Sequence, residues 1–522
     1  MENNVIAIDY GTQSVRVAII NEKGKILALE QEKYDIPYFS IKPGYAEQYP
    51  DYYYDLMCKA SKRLVKNNQE LMKTVRSFSS TCFRDTAAYL DKDYKVIRPS
   101  IIWLDQRKAR LDHKLPLLYS LAFSIVGMSD TIALNRKRTP AIWLMENERD
   151  NYNKIRWYAP LNSYFNYRML GVLGDSPSNM IGHFPLNFKT GKIYGKKALK
   201  GCIFDVDPSW MPKVVKVGDI LGEVTLKGSE ETGLPLGLKY ITTGNDKSCE
   251  ALGSGGVENG SVHISMGTAC SIAMTSKKYF EPYRFLPSYI TAYKGYYSGE
   301  MQVYRGCWML SRFKKEFAKE DIQEAELEKI VPEHLLNKKI LDIEPGSNGL
   351  VLQPFWGPQL ERPLAKGSII GFYDVHTKYH IYRSIIEGLG YCLKEGLETI
   401  SKNSHQKPKF ITIGGGGSKS NAICQILADI FNLDVYKPSN YEVSIIGCGI
   451  SQLISLGIYK DVVDAKKECV EYQSIYHPNK ENVKRYEYLY KNVYKKIYPK
   501  LNGVYKELSY YLESNNNKDT KI

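Results

Sequence analysis

A pattern of strand, small polar turn and strand occurs twice in the chain, and this repeat is the feature that most constrains its fold. In the first copy an apolar run ends on Asp9, and the turn 11–14 (GTQS) follows before apolar residues resume. In the second copy, at 261–276, an apolar strand leads into the turn 266–269 (MGTA) and a second strand. The copies lie about 250 residues apart, so we expect two related halves that each contribute one such turn.

The first turn has two interpretations. Small polar residues between β-rich runs are common in hairpins, so this could be an ordinary turn. It could also bind a phosphate group, because a tight turn of small residues directs several backbone N–H groups to one point, and Thr12 and Ser14 add hydroxyl groups. Asp9, at the strand end, could then hold the cation that accompanies a polyphosphate. This stretch alone leaves both interpretations open.

The composition excludes several classes of protein. The chain has 522 residues, of which 43% are hydrophobic and 25% are charged, as expected of a globular protein with a large core and at least two domains. No apolar stretch reaches the roughly 20 residues that a membrane helix needs. The N-terminus MENNVIAID lacks the basic region of a signal peptide. We therefore expect a soluble, cytoplasmic protein with no membrane partner.

The cysteine pattern and the net charge bear on whether the chain binds zinc, forms disulfides or binds nucleic acid. The ten cysteines form no C-x-x-C pair and the eight histidines show no metal-ligand spacing, which indicates neither a zinc site nor a disulfide framework. The net charge is +14, but Lys and Arg are spread along the chain without a known nucleic-acid motif. We expect no nucleic-acid partner, because a basic surface also suits anionic small molecules such as ATP.

Two later segments carry further candidate residues. The segment 100–112 (SIIWLDQRKARLD) is predicted to pass from a strand into a helix. The segment 410–431 reads as a strand, four glycines at 414–417 and a helix that begins near Ser420. Glycines in that position let a nucleotide approach the backbone and the helix N-terminus. The run fits neither G-x-x-x-x-G-K-[ST] nor G-x-G-x-x-G, which disfavours P-loop and Rossmann folds.

Taken in order along 5–460, the motifs of this chain resemble those of the FGGY carbohydrate kinases, a family that includes glycerol kinase, xylulokinase, ribulokinase and autoinducer-2 kinase. The segments that carry the resemblance are DYGTQSVR (9–16), PGYAEQYPDYYYD (43–55), TTGNDKSCEALGSG (242–255), ISMGTA (264–269), ERPLAKGSIIGF (361–372), YRSIIEGLGYCL (382–393) and GGGGSKSNAICQILADIFNLDV (414–435). Each motif alone is weak, whereas the ordered set is specific.

The resemblance implies an α/β fold of two ribonuclease-H-like domains of the actin and hexokinase superfamily, which flank a central cleft for ATP and sugar. We accordingly divide the chain into an N-terminal domain (1–248) that binds sugar and carries the first phosphate motif, a C-terminal ATP-binding domain (249–480), and a C-terminal helix with a polar tail (481–522). Glycines in 244–261 provide freedom for a hinge. The implied cofactors are ATP and Mg²⁺.

By the same resemblance, Asp246 is the catalytic base that accepts the proton of the sugar hydroxyl. The flexible Gly244 beside it would let the carboxylate reach the cleft. Without the family context, Asp246 would be interpreted as the cap of the helix that follows. Asn245 stands where many members have Gly or His, which predicts different local contacts with the substrate. The resemblance also assigns Asp9, together with Asp246, to Mg²⁺, with water between.

Nucleotide binding is assigned by the resemblance to the two turns, the glycine run and the helix that follows it. The assigned residues are Gly11, Thr12, Gln13, Ser14, Arg16, Gly267, Thr268, Gly415, Gly416, Gly417 and Asn421. Arg16 could equally be a surface arginine, and Asn421, expected one turn into its helix, could be a solvated surface residue.

Substrate binding is assigned to Arg84, Asp85, Trp103 and Asp105, with Asp246. The Arg84-Asp85 pair resembles the Arg-Glu pair of glycerol kinase and autoinducer-2 kinase, and differs from the Met-His pair of xylulokinase. A charged donor beside an acceptor suits vicinal hydroxyl groups, and we expect the two charges to compensate each other. Trp103 and Asp105, with Arg107, match another substrate-facing segment.

The expected activity is ATP-dependent phosphorylation of a hydroxyl group on a sugar, polyol or related small carbohydrate. Ser163 stands where many members have Asp, which leaves the specific sugar open, and Trp308 could wall the cleft or belong to the core. One alternative is a non-enzymatic actin-like polymer or chaperone-type ATPase, which should lack the C-terminal FGGY segments. Another is a catalytically silent sugar sensor, which the retention of Asp9 and Asp246 disfavours. The oligomeric state stays open, with a homodimer as one option.

Overall fold

The structure is a computed structural model that describes residues 3–356, 362 and 364–516. Within this part, the first half has the strands β1 (Asn4–Tyr10), β2 (Ser14–Ile20), β3 (Ile26–Lys33), β4 (Glu47–Gln48), β5 (Val75–Cys82), β6 (Ala87–Leu90), β7 (Ser100–Ile101), β8 (Trp157–Pro160), β9 (Gly174–Asp175), β10 (Leu186–Asn187), β11 (Lys192–Ile193), β12 (Lys213–Val214), β13 (Ile220–Glu223) and β14 (Lys239–Ile241). Its helices are α1 (Pro50–Asn67), α2 (Gln69–Met72), α3 (Leu117–Ile125), α4 (Ser129–Arg138), α5 (Pro140–Asn147), α6 (Arg149–Lys154), α7 (Leu161–Leu170), α8 (Leu226–Thr232) and α9 (Asp246–Gly253).

The second half follows the same alternation of strands and helices. Its strands are β15 (Val262–Met266), β16 (Cys270–Ser276), β17 (Tyr289–Ile290), β18 (Tyr297–Val303), β19 (Val351–Gln353), β20 (Ser368–Ile370), β21 (Ile411–Gly414), β22 (Val435–Pro438) and β23 (Tyr472–Tyr476). Its helices are α10 (Trp308–Phe317), α11 (Lys319–Leu327), α12 (Pro332–Lys339), α13 (Lys378–Ser404), α14 (Asn421–Phe431), α15 (Val443–Ser455), α16 (Val462–Cys469), α17 (Lys480–Leu489) and α18 (Lys495–Asn516).

The large sheets of the two halves share one strand arrangement. The first has the order β13-β14-β5-β1-β2-β3, in which β5 is parallel to β1 and β14, and β1–β2–β3 is an antiparallel meander. The second has the order β23-β22-β21-β15-β16-β18-β17, in which β21 is parallel to β15 and β22, and β15–β16–β18 is antiparallel. The predicted repeat is therefore confirmed: β1–β2 and β15–β16 occupy equivalent places in two related sheets.

The central strands of both sheets are buried on both faces. Every residue of β1, β15 and β21 is buried, because helices cover the sheets from both sides. Strands in such a position read as nearly continuous apolar runs rather than as an alternating pattern. The polar residues that interrupt these runs at the strand ends are therefore the ones that need a separate explanation.

Helices α9 and α15 pack against each other at the junction of the two halves. Their approach requires glycine: a Cβ on Gly253 would lie 1.9 Å from the Val443 carbonyl oxygen, and one on Gly447 would lie 1.9 Å from that of Cys249. Helix α15 also reaches the first sheet, where the Gln452 side chain donates to the Ile6 carbonyl oxygen at 2.9 Å. The segment 244–261 thus contains a helix that packs tightly between the sheets.

Two sequence predictions differ from the structure. The strand-to-helix prediction for 100–112 is wrong, because after β7 the next helix begins only at Leu117. Asp105 accepts hydrogen bonds from the backbone N–H groups of Arg107 (2.8 Å) and Ala46 (2.6 Å), and such side-chain contacts compete with helix formation. The predicted C-terminal helix at 481–512 is formed by α17, a π-helical turn and α18.

Parts of two predicted segments lie outside the described residues. These are 361 and 363 in the C-terminal family segment and 517–522 in the polar tail. In the described part of the chain, no helix combines the length and apolar character that crossing a membrane requires.

Candidate active site

A cleft of about 1260 Å³ lies between the two halves and collects many of the predicted residues. Its lining includes Thr12, Arg84, Asp85, Trp103, Asp105, Asp246, Gly267, Thr268 and Trp308. The other predicted residues lie outside this lining: Asp9, Gly11, Gln13, Ser14, Arg16, Gly415, Gly416, Gly417 and Asn421. The structure thus brings together both turns, the proposed base and the proposed substrate residues, and leaves the glycine run outside the cleft lining.

Asp9 is the next-to-last residue of the buried strand β1 and forms an ion pair across the hairpin. Arg16 Nη1 lies 3.2 Å from Asp9 Oδ2, and Arg16 Nε lies 3.2 Å from Glu442 Oε2 on the turn before α15. Burial, with the negative charges of Asp246 and Glu442, raises the pKa of Asp9 to about 6, although Arg16 opposes this. Arg16 is therefore not the free surface arginine that one interpretation predicted.

The first turn is closed by backbone hydrogen bonds. The Gly11 N–H donates to the Ser14 carbonyl oxygen at 3.0 Å, and the Tyr34 N–H donates to that of Gln13 at 3.0 Å. The Ser14 hydroxyl accepts from the Gln31 side chain at 2.8 Å. Thr12 is the turn residue that lines the cleft, so its hydroxyl is the one best placed for a ligand there.

The second turn is anchored from the opposite side. The carbonyl oxygens of Gly267 and Thr268 accept from the N–H groups of Cys307 (3.1 Å) and Trp308 (3.2 Å) at the start of α10. The glycine run packs directly behind this turn: a Cβ on Gly415 would lie 2.7 Å from the Met266 carbonyl carbon. The second turn is therefore fixed by two neighbouring segments.

The three glycines of the run have different environments. Gly415 has φ +75° and no room for a side chain, and a Cβ on Gly417 would lie 2.8 Å from that of Met266. Packing alone therefore requires small residues at these two positions. A Cβ on Gly416 would meet no atom within 4 Å, so this glycine alone borders open space into which a ligand could fit.

Asp246 is the first residue of α9, and the helix-cap interpretation of this residue is wrong. The cap is Asn245, whose side chain accepts from the N–H groups of Lys247 (3.0 Å) and Ser248 (3.3 Å). Among the described residues, Asp246 Oδ1 accepts only the adjacent Lys247 N–H, at 2.8 Å, and Asp246 lines the cleft. Burial raises the pKa of Asp246, while the charges of Lys247 and Arg84 partly offset this effect.

Gly244 is required for space. A Cβ at this position would lie 2.5 Å from Ser178 Oγ and 2.9 Å from the Ala292 Cβ. Asp246 does reach the cleft, as expected, and the close contacts at Gly244 are a packing reason for glycine beside it. Tight packing around Gly244 holds the start of α9 in one position.

Arg84 and Asp85 pair with other residues rather than with each other, contrary to the sequence prediction, although the charge of Arg84 still helps to lower the pKa of Asp85. The two terminal guanidinium nitrogens of Arg84, Nη1 and Nη2, donate to the Glu300 carboxylate of β18, each at 2.7 Å. Asp85 Oδ1 instead accepts from the His183 N–H at 2.9 Å and lies 2.6 Å from His183 Nδ1. The φ of +56° at Asp85 lies in the left-handed region, and Gly182 packs against it where any Cβ would clash.

Burial and these contacts act in opposite directions on the Asp85 carboxyl group. Burial alone would raise its pKa, but the interactions with His183 hold the pKa of Asp85 below its ordinary value. Glu300 and His183 were missed by the sequence analysis, because nothing near either residue in the sequence marks it. The family resemblance identified Arg84 and Asp85 but not the residues that pair with them, Glu300 and His183.

Asp105 lines the cleft, but its carboxylate is held within the wall. Arg107 contacts it from both Nε and Nη2 and also lies 2.7 Å from Glu47 Oε1. The Arg107 guanidinium is stacked 3.9 Å from the Tyr45 ring centre. Tyr45, Ala46 and Glu47 thus hold Asp105 and Arg107 in place. This part of the 43–55 motif therefore supports the wall of the cleft that contains Trp103 and Asp105.

Asn421 begins α14, and is not one turn into it as predicted. Its side-chain oxygen accepts from Lys437 Nζ at 2.9 Å and from the Tyr476 hydroxyl at 2.7 Å. Because both contacts are to the oxygen, the amide nitrogen is the group left to donate to a ligand. Ser163, noted for its departure from the family, is fully buried on α7.

Comparison with known sequences agrees with this geometry. The sequence profile of the FGGY family of carbohydrate kinases, N-terminal domain, matches residues 4–253, and that of the C-terminal domain of the same family matches residues 262–456. The sugar kinase YgcE of Escherichia coli (strain K12), whose name marks it as uncharacterized, is 26% identical over 94% of this chain and 93% of that protein. Xylulose kinase of Bacillus subtilis (strain 168) is 25% identical over 95% of this chain and 96% of that protein.

Solved structures give the same result for the fold. The xylulose kinase from Rhodospirillum rubrum matches with a TM-score of 0.81 and 21% identity, covering 97% of this chain and 100% of that chain. The chain therefore shares the fold of this xylulose kinase, with one α/β sheet domain in each half, as predicted. Since the two family profiles together span most of the chain, this protein belongs to the FGGY family of carbohydrate kinases.

Proposed function

We propose that this kinase transfers the γ-phosphoryl group of ATP to a hydroxyl group of a sugar, polyol or related small carbohydrate, with Asp246 as the general base. The observation that carries the proposal is the state of Asp246: Asn245 caps the helix, and the carboxylate faces the cleft that both turns border. A carboxylate with a raised pKa is a stronger base than an ordinary aspartate.

In the proposed reaction, the hydroxyl oxygen attacks the γ-phosphorus while its proton moves to the Asp246 carboxylate. The bond between the γ-phosphorus and the bridging oxygen of ADP breaks as the new bond forms. Thr12 of the first turn and Gly267 and Thr268 of the second would hold the phosphate groups. Since these turns lie on the two halves, closure of the cleft would bring ATP and sugar together and exclude water.

The carboxylates at the first turn fit a Mg²⁺ ion that enters with ATP. Asp9 and Asp246 are close enough for the charge of one to raise the pKa of the other, and a divalent cation would relieve that repulsion. Mg²⁺ typically uses one or two protein carboxylates and completes its shell with water and phosphate oxygens. Bound there, it would neutralise charge on the phosphates.

The adenosine end of ATP is assigned to the glycine run and α14. Gly416 borders open space, and the amide nitrogen of Asn421 is the polar group left free by Lys437 and Tyr476. We infer that the ribose and α-phosphate pass Gly416 and that Asn421 donates to an acceptor nitrogen of adenine. The domain division at 1–248, 249–480 and 481–522 follows from this assignment of sugar and nucleotide to different halves.

The sugar is assigned to the side of the cleft formed by Arg84, Asp85 and Trp103. Each charged residue already has a partner, so hydroxyl groups would bind to groups whose orientation is fixed before the substrate arrives. Pre-oriented donors and acceptors reduce the entropy lost on binding. The aromatic ring of Trp103 would cover an apolar face of the sugar.

The test is ADP release by purified protein across a panel of ketopentoses, polyols and aldonic acids, with and without Mg²⁺. The proposal expects ADP release that requires one class of carbohydrate and the metal. ATP hydrolysis without any carbohydrate would instead support an actin-like or chaperone-type ATPase. No hydrolysis with any member of the panel, despite measurable sugar binding, would support a silent sensor.

A further inference from the structure

Lys247 directly follows the proposed base and lies beside the second turn. Its ammonium group donates to Ser265 Oγ at 2.7 Å and to Glu250 Oε2 at 2.9 Å. Ser265 is the second-to-last residue of β15, immediately before the turn at Gly267. Lys247 lines the cleft, and its side chain is 23% exposed.

These two contacts leave one ammonium proton without a partner among the described residues. A Cβ built on Gly267 would lie 3.9 Å from Lys247 Nζ, so the cation is adjacent to the backbone of the turn. A phosphate group held by that turn would therefore meet a positive charge on the side of Asp246.

The surroundings of Lys247 keep it charged. Glu250 is buried and also accepts from the Ser265 hydroxyl at 2.9 Å, and Lys247 and His263 hold the pKa of Glu250 well below its ordinary range despite burial. Gly414 leaves room for this carboxylate, because any Cβ there would lie 2.4 Å from Glu250 Oε1. A buried ion pair is an inefficient way to gain stability, which favours a role for the cation in the cleft.

We propose that Lys247 is a catalytic residue whose ammonium group contacts the phosphoryl group during its transfer. This inference rests on the proposed kinase function. The oxygen–phosphorus bond to the carbohydrate forms, the bond to the ADP oxygen breaks, and the hydroxyl proton goes to Asp246. Lys247 transfers no atom: it stabilises the negative charge on the phosphoryl oxygens as this exchange occurs.

The experiment compares Lys247→Gln, which keeps a hydrogen-bond donor but removes the charge, with Lys247→Arg, which keeps the charge. Lys394→Gln is the matched control, because Lys394 also joins a helix to a carboxylate (Glu487, 2.9 Å) and a carbonyl oxygen (Ile430, 2.7 Å) but lies outside the cleft lining. The measurements are kcat, the KM values, thermal stability, and the affinities for ADP and for ADP with aluminium fluoride, which mimics the transferring phosphoryl group.

We expect Lys247→Gln to lower kcat by about 10²-fold, the scale for loss of one preorganised charge-stabilising group. Affinity for ADP with aluminium fluoride should fall by a similar factor, affinity for ADP alone should stay within about threefold, and Lys247→Arg should retain more activity than Lys247→Gln. Should Lys247→Gln fail to fold, the double variant Lys247→Gln/Glu250→Gln, which removes both charges, takes its place.

Three outcomes would overturn the inference. They are a kcat within threefold of wild type, an equal loss of affinity for ADP with and without aluminium fluoride, and an activity loss matched by Lys394→Gln. Failure of the proposed function is distinguishable, because in that case the wild-type protein itself would release no ADP with any carbohydrate.

Discussion

The two hairpins that border the cleft have the same backbone plan but differ in the residue at the same position, which is an aspartate in the first and a serine in the second. Two residues before the turn glycine, the first hairpin has Asp9, which is paired with Arg16, whereas the second has Ser265, which holds Lys247. Each hairpin therefore has an ion pair beside its turn, but in the first the carboxylate is on the strand itself, whereas in the second both charges come from α9 (Lys247 and Glu250). Under the proposals above, the metal would lie at the first turn and Lys247 would contact the phosphate at the second.

The source of the partner also differs between the hairpins. Arg16 belongs to the first hairpin itself, so Asp9 is balanced locally. Lys247 comes from α9, which also carries Asp246. The second turn is therefore connected to the proposed base through one helix, and the first only through electrostatic interaction across the cleft.

The largest effect is expected for Asp246→Asn, which removes the carboxylate of the proposed base from the cleft that both turns line. We expect kcat to fall at least 10²-fold, because the amide cannot accept the hydroxyl proton, while ADP affinity stays nearly unchanged. Steady-state ADP release and calorimetric ADP binding measure the two quantities. Asp461→Asn is the control, because Asp461 caps α16, outside the cleft lining. A kcat of Asp246→Asn within a few-fold of wild type would show that Asp246 is not the general base.

The second prediction concerns the charge of the first hairpin alone. The pKa of Asp9 is raised to about 6 in the ligand-free protein. Above that pH the buried carboxylate is ionised, and this lowers the free energy of unfolding, which is a cost to stability. This cost disappears as the pH falls toward the value of about 3.9 for an unfolded aspartate. At pH 7, Asp9→Asn should therefore have a free energy of unfolding up to about 3 kcal/mol higher than wild type and should unfold at a higher temperature. The difference in stability should disappear near pH 4.

The same variant should lose activity, because the amide is a weak ligand for Mg²⁺. Thermal unfolding at several pH values without nucleotide, followed by ADP release at saturating Mg²⁺, tests both parts. A variant that is less stable than wild type at pH 7 would mean that the Asp9 carboxylate stabilises the fold. This result would contradict the proposal that Asp9 is kept for the metal at the first turn.

Arg84→Ala tests the ion pair that joins the two halves. It removes charged hydrogen bonds, each worth about 1.5–3 kcal/mol, and leaves Glu300, not Asp85, without its partner. We expect kcat/KM for the sugar to fall at least tenfold, with KM for ATP little changed. Steady-state kinetics with each substrate varied in turn measure this. An equal change in both KM values would place the pair outside the sugar site.

The smallest effect is expected at the glycine run behind the second turn. Gly416→Ala should fold normally, since its Cβ would meet no atom within 4 Å, and should raise KM for ATP by a few-fold if the nucleotide passes there. Gly415→Ala is the contrasting variant, because φ +75° and contact with Met266 should make it unstable. Thermal unfolding and KM for ATP separate the two effects, and an unchanged KM for Gly416→Ala would move the nucleotide away from this glycine.

The outcome at Asp246 shows how far local sequence can specify a site. A helix over 247–255 was predicted, with Asp246 as its cap in one of two interpretations, whereas the observed helix begins at Asp246 and Asn245 caps it. Both residues are good caps by type, and only the backbone geometry at the helix start decides between them. The error at 100–112 is of the same kind, because the Asp105 contacts that prevent a helix reach residues as distant as Ala46.

The sequence by itself determined the two hairpins, the glycine run and the family, because each can be recognised from residues that are neighbours along the chain. Only the tertiary structure decided the partners. Arg84 pairs with Glu300, 216 positions away, Asp85 with His183, 98 positions away, and Lys247 with Ser265 across the junction of α9 and β15. Turn composition and strand periodicity are local properties, whereas the balance of charge in a cleft depends on which distant side chains the fold brings within hydrogen-bond distance.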